Sequence, residues 1–259
     1  MGTTANLQPT ARRQHTPAIS PGRIALLDAW RGAAIIGVVL YHLGWDLSFF
    51  GYAPPDMMYY DPMIVFARTL AGSFMFLCGV GLVLAHSKAF DQKGFIRRLS
   101  KIALSALAIT VVTVLLMSDV FVYFGILHAI AASSLLGLIF LRLPIAVIVC
   151  AAIIVLLLGL KFQFEVFDTR WLAWIGFASN PPSSNDFVPL FPWFGIVLFG
   201  IAAARLSEKH RELYEWVRLP APGWLVWIGR RTLSIYLLHQ PILFAVIGGA
   251  TLIYNKYII

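Results

Sequence analysis

Asp28, Arg31, His42 and Asp46 stand on one largely apolar stretch, RIALLDAWRGAAIIGVVLYHLGWD, that opens on Arg23. The run from Ala33 to Tyr41 is uncharged, and Asp28, Arg31, His42 and Asp46 flank it within reach of hydrocarbon. Ionisable groups at that depth are unfavourable and mark function. On a helix, Arg31 and His42 fall within about 20° of alignment and about 16 Å apart along the axis, so they share a face. Asp28 lies one turn before Arg31 and Asp46 one turn after His42, spacings at which helical neighbours pair.

A carboxylate bound to one imidazole nitrogen fixes the tautomer and leaves the other nitrogen as a base near neutral pH. His42 with Asp46 is therefore the candidate catalytic pair, with plain packing as the alternative for the histidine. Asp28 with Arg31 has two readings: an ion pair that seats the helix end, or part of a cationic site for a phosphorylated ligand. Arg97, Arg98, Arg230 and Arg231 would complete that site. Arg68 either anchors a substrate or pairs with Asp46 or Asp61, since a buried arginine seldom lacks a partner. His128 in FGILHAIAASS and His239 in SIYLLHQP are structural histidines or groups that meet substrate. Trp193 in VPLFPWFG is an interface residue or a pocket wall.

These residues need helices to place them. The chain has 259 residues, 59% hydrophobic and 12% charged, with a mean hydropathy of +0.80. That composition excludes a soluble domain and predicts an all-α polytopic membrane bundle. Apolar windows predict about seven spans, at 24–45, 62–86, 100–118, 121–141, 143–160, 189–206 and 224–250. Residues 1–22 read as a disordered cytoplasmic tail without a secretory signal, and 23–259 as one transmembrane domain.

Arg12, Arg13 and Arg23, the run from Lys88 to Lys101, Arg142, and the run from Arg205 to Arg231 all fall on one side of these spans. The positive-inside rule then places the N-terminus in the cytoplasm. The formal charge of +8 is thus a topology signal, and nucleic acid is not an expected partner. Loop 46–61 carries three aspartates and no base, and loop 161–188 carries Trp171, Trp174 and NPPSSND, a character that suits a polar ligand such as a sugar as well as interface anchoring. Cys78 and Cys150 lie in apolar runs and read as packing residues; no metal is expected. Gly72, Ser73, Gly79 and Gly81, and the run from Ala131 to Ser134, are small enough for close helix approach.

The segments RIALLDAWRGAAIIGVVLYHLGWDL, GSFMFLCGVGLVLA, FGILHAIAASSLLG, PLFPWFGIVLFGIAAARL and IGRRTLSIYLLHQPILF resemble bacterial proteins of the heparan-alpha-glucosaminide N-acetyltransferase catalytic-domain family. The likeness covers nearly everything after residue 22. The interval between Arg31 and His42, and YLLHQP, also look like motifs of the acyltransferase family 3 membrane enzymes. The resemblance implies an integral protein of the bacterial cytoplasmic (inner) membrane that takes an acetyl or other acyl group from cytoplasmic acyl-CoA. It delivers that group to a sugar amine or hydroxyl on the outer side. It further implies a donor site by Asp28 and Arg31 and chemistry at His42, with direct transfer and transient acylation of His42 both open. Lysosomal members place a functional histidine in the outer loop after this helix, whereas residues 47–61 here contain none. The acceptor, the acyl length and the oligomeric state, a homo-oligomer included, stay open.

Two other classes fit the same residues. A haem-binding redox protein would use pairs among His42, His86, His128 and His239. A seven-helix carrier or receptor would use the polar groups near the midplane.

Overall fold

The computed structural model describes residues 24–86, 89–210 and 219–257. The tail expected at 1–22 lies outside them. The described residues form helices without a strand: α1 (Ala25–Phe49), α2 (Asp61–His86), α3 (Gln92–Leu116), α4 (Ile126–Phe140), α5 (Ile145–Lys161), α6 (Arg170–Ala173), α7 (Leu190–Lys209), α8 (Gly223–Gly229) and α9 (Thr232–Tyr257). Among them, α1, α2, α3, α7 and α9 are long and apolar enough to cross a membrane, and α4 and α5 are shorter apolar helices. At 1.5 Å per residue, α1 spans about 37 Å, enough for a ~30 Å hydrocarbon core. The protein is a polytopic helical bundle.

Three features differ from the sequence expectation: the span expected at 224–250 is two helices, α8 and α9, broken at Arg230 and Arg231, and two helix starts are displaced. Helix α3 starts at Gln92 rather than near 100, because the Asp91 carboxylate caps it by accepting the Gly94 N–H at 3.0 Å. An apolar window misses that start, since Lys93, Arg97, Arg98 and Lys101 all lie in the first turns. Helix α4 starts at Ile126 rather than 121, because residues 120–124 run extended beside 185–188. The Asn185 N–H reaches the Val120 carbonyl at 2.9 Å and the Val188 N–H reaches Phe124 at 3.1 Å. Apolar side chains made this segment look helical, but its backbone is satisfied by a partner segment instead.

The main core joins α2, α4, α5 and α7 through Met75, Leu82, Val83, Ala129, Ile148, Val197, Leu198 and Ile201. Helix α7 packs on α5 and α2, while α1 packs on α8, α9 and α2. Glycines permit the closest approaches. A Cβ on Gly79 would meet the Val197 carbonyl, and one on Gly229 would meet the Asp28 carbonyl. Small residues at such crossings let helix backbones touch. Helices α8 and α9 are joined by the turn at Arg230 and Arg231 and together follow α1 across the bundle.

Candidate active site

Arg31, Arg97, Arg98 and Lys101 line a cavity of about 480 Å³ whose other walls are Phe74, Leu77 and Cys78 from α2, Ile126, Leu127 and Ile130 from α4, and Thr232, Leu233 and Tyr236 from α9. One end is cationic and the remaining wall is mostly apolar. Capping by Asp91 is what turns the basic run of α3 into a helix and places its cations at this mouth. Asp28 is buried and bridges Arg31 Nη1 at 2.9 Å and Arg230 Nε at 3.4 Å. Its carboxylate therefore holds Arg31 at the cavity edge and ties α1 to the α8–α9 turn. Arg230 and Arg231 do not line the cavity. Arg231 instead lies over the Trp227 ring at 4.0 Å and donates to the Trp227 carbonyl, a cation–π contact that takes it to the exposed surface. Lys101, which the sequence marks only as a topology signal, joins the cluster.

About 16 Å further along α1, His42 meets His239 of α9 edge to face, with ring centroids 4.9 Å apart. The expected bond between His42 and Asp46 is absent. Asp46 Oδ1 instead accepts from Gln240 Nε2 at 2.8 Å, while Oδ2 has no hydrogen-bond partner among the described residues. Two residues of α9 thus divide the pair that helical spacing suggested, His239 taking the imidazole and Gln240 the carboxylate. The histidine whose tautomer is fixed is His239. Its Nδ1 lies 2.7 Å from the Tyr236 carbonyl, which only accepts, so Nδ1 carries the proton. Nε2 of the neutral ring is then a lone-pair acceptor, and it is buried without a protein partner. The Gln240 Oε1 is buried and unpartnered as well. Three acceptor atoms, Asp46 Oδ2, His239 Nε2 and Gln240 Oε1, thus cluster at the α1–α9 crossing. Pro241 follows at once and lacks the N–H that would serve the Leu237 carbonyl.

His128 is fully engaged in structure. Its Nδ1 accepts the Gly125 N–H at 3.2 Å, which leaves Nε2–H to donate to Thr110 Oγ1 at 3.2 Å, whose own proton goes to the Val122 carbonyl at 2.7 Å. It closes the start of α4 against α3 and is not free to meet substrate. Arg68 is exposed on α2, which corrects the burial that its expected pairing with Asp46 or Asp61 presumed. Trp193 packs against the main core beside Gly72 and does not line the cavity. The imidazoles of His42 and His239 are in direct contact, which leaves no space for an iron between them, and His86 packs against Phe90 and Phe95.

Sequence reasoning missed Tyr236, Gln240 and Asp186. Asp186, in the loop before α7, accepts the Ile126 N–H at 2.9 Å and the Tyr236 hydroxyl at 3.0 Å. Burial raises its carboxyl above the usual range, opposed by those two bonds. The dipeptide HQ ahead of Pro241 was the available signal for Gln240; nothing local marked Asp186.

Residues 23–241 match the family model described as heparan-alpha-glucosaminide N-acetyltransferase, catalytic. No curated protein and no solved structure matches the chain.

Proposed function

Since the chain belongs to the heparan-alpha-glucosaminide N-acetyltransferase catalytic family, it is a membrane acetyltransferase, and on that premise we propose that it moves an acyl group from acyl-CoA to an acceptor across the bilayer. The observation that carries this reading is a continuity along α9. Tyr236 lines the cavity whose mouth holds Arg31, Arg97, Arg98 and Lys101, and one turn later, about 4.5 Å along the axis, stands His239 with its Nε2 unpartnered.

The cationic mouth faces the cytoplasm, following the positive-inside rule. Its four cations suit the phosphates of a CoA, with arginines as bidentate partners. Apolar walls then take the pantetheine arm toward the histidines. The acceptor is a sugar amine or hydroxyl entering from the opposite side, its donors held by Asp46 Oδ2 and Gln240 Oε1.

His239 Nε2 takes the proton from the acceptor nitrogen or oxygen as that atom attacks the thioester carbonyl. The same proton passes to the departing CoA sulfur, so the ring ends as it began. His42, in edge contact with His239, is placed to donate to the carbonyl oxygen as it becomes anionic. The base is worth roughly 10²- to 10⁴-fold in rate and the oxyanion donor about 10²- to 10³-fold.

Sealed proteoliposomes test the reading. With labelled acetyl-CoA on the cationic side only and an amino sugar on the other only, acetylated sugar should accumulate. Product that forms only when both substrates share one compartment would overturn transfer across the membrane.

A further inference from the structure

Asp186 and the Tyr236 hydroxyl tie the loop before α7 to the helix that carries His239. Both hydrogen bonds to the Asp186 carboxylate fall on one oxygen, Oδ2: the Ile126 N–H at 2.9 Å and the Tyr236 hydroxyl at 3.0 Å. The first sets an acid at the N-terminus of α4, where both the free N–H and the helix dipole favour it. Gly125 makes room, since a Cβ there would run into this carboxylate.

The second bond crosses to α9. Tyr236 touches His239 twice, through its carbonyl on Nδ1 at 2.7 Å and through the rings, whose centroids are 5.6 Å apart. It also forms part of the cavity wall. One residue therefore borders the donor cavity, supports the tautomer of His239 and is itself held by a carboxylate from the loop before α7.

We propose that Asp186 is a positioning residue for acyl transfer: it holds the Tyr236 phenol, and through Tyr236 it keeps His239 aimed at the acceptor. The inference rests on the acyl-transfer reading and extends it. Because a single oxygen accepts both bonds, an asparagine oxygen can replace it, whereas alanine leaves the phenol and the α4 terminus without an acceptor. The oxygen is needed; the charge is not.

The test compares wild-type full-length protein with Tyr236→Phe, Asp186→Ala and Asp186→Asn. It reads kcat and KM for acetyl-CoA with an amino sugar, and unfolding temperature alongside. Tyr236→Phe keeps the ring and loses the hydroxyl. It should lower kcat about tenfold or more, within the ~100-fold that a displacement of about 1 Å costs, with KM for acetyl-CoA changed less than about twofold. Asp186→Ala should match it, and Asp186→Asn should regain most of the loss. If the alanine variant does not fold, Tyr236→Phe and Asp186→Asn decide alone. Wild-type kcat in Tyr236→Phe, or an asparagine variant as impaired as Tyr236→Phe, would overturn the proposal while the acyl-transfer reading stands. Wild-type protein that transfers nothing would overturn that reading and this inference with it.

Discussion

His42 and His239 face each other across the α1–α9 crossing with ring centroids 4.9 Å apart, and only His239 has its Nδ1 bound, at 2.7 Å from the Tyr236 carbonyl. The two histidines are therefore not equivalent. One has a defined lone pair on Nε2, and the other sits against it as a neighbour able to donate or accept.

The two histidines should separate kinetically. His239→Ala removes the proposed base and should lower kcat by roughly 10²- to 10⁴-fold, whereas His42→Ala, losing the proposed oxyanion donor, should cost about 10²- to 10³-fold. Addition of imidazole to the two variants checks the assignment, with rescue expected for the missing base at His239.

The cationic mouth should govern the donor and not the acceptor. Arg97→Ala, Arg98→Ala and Lys101→Ala should each raise KM for acetyl-CoA, and the increase should shrink as salt screens the remaining charges over a Debye length of about 8–10 Å. Arg231→Ala, whose guanidinium lies over Trp227, should leave that KM unchanged. Initial rates at several ionic strengths measure both effects.

Asp46→Asn should act on the acceptor side. The amide oxygen can still take the Gln240 bond, but the atom replacing Oδ2 becomes a donor, opposed to the donors of a sugar. KM for the amino sugar should rise severalfold while KM for acetyl-CoA holds, as steady-state kinetics with each substrate varied in turn will report.

Gly229→Ala tests the fold that positions the site. A Cβ there meets the Asp28 carbonyl, so α8 must move off α1 and the Asp28 bridge to Arg230 must stretch. Overpacking of this kind costs about 1–3 kcal/mol, readable as a lower unfolding temperature in detergent.

The stability of the protein should also depend on Asp186. Burial holds its folded carboxyl above the unfolded value of about 3.9. The folded state therefore binds the proton more tightly in this window, and stability falls as pH rises from about 3.9 through the raised folded value. In Asp186→Asn that part of the slope should vanish, which unfolding temperatures across acidic pH will show.

Much of this architecture was legible in the sequence, because apolar windows mark spans and the Arg31–His42 interval marks a face. The errors have local causes. Asp91 extends α3 into a charged stretch that no hydropathy window includes, and Phe121 to Phe124 read as helix until their backbone finds residues 185–188. At the site, His42 stood out by its position, but its partners did not. Gln240 and His239 arrive from a helix 194 residues distant in the Asp46–Gln240 pairing, and no periodicity on α1 encodes which acceptor an imidazole from elsewhere will displace. Asp186 was hidden for the same reason, since its significance lies in Ile126 and Tyr236 rather than in its neighbours.

His239 is the proposed base for acyl transfer from a donor seated in the cationic cavity. Single-turnover transfer from labelled acetyl-CoA to an amino sugar, measured on purified wild-type and His239→Ala protein with CoA binding followed in parallel, tests it most directly. Transfer by the wild type and a fall of at least about 100-fold in the variant are expected, with CoA affinity retained. Undiminished transfer by His239→Ala would contradict it.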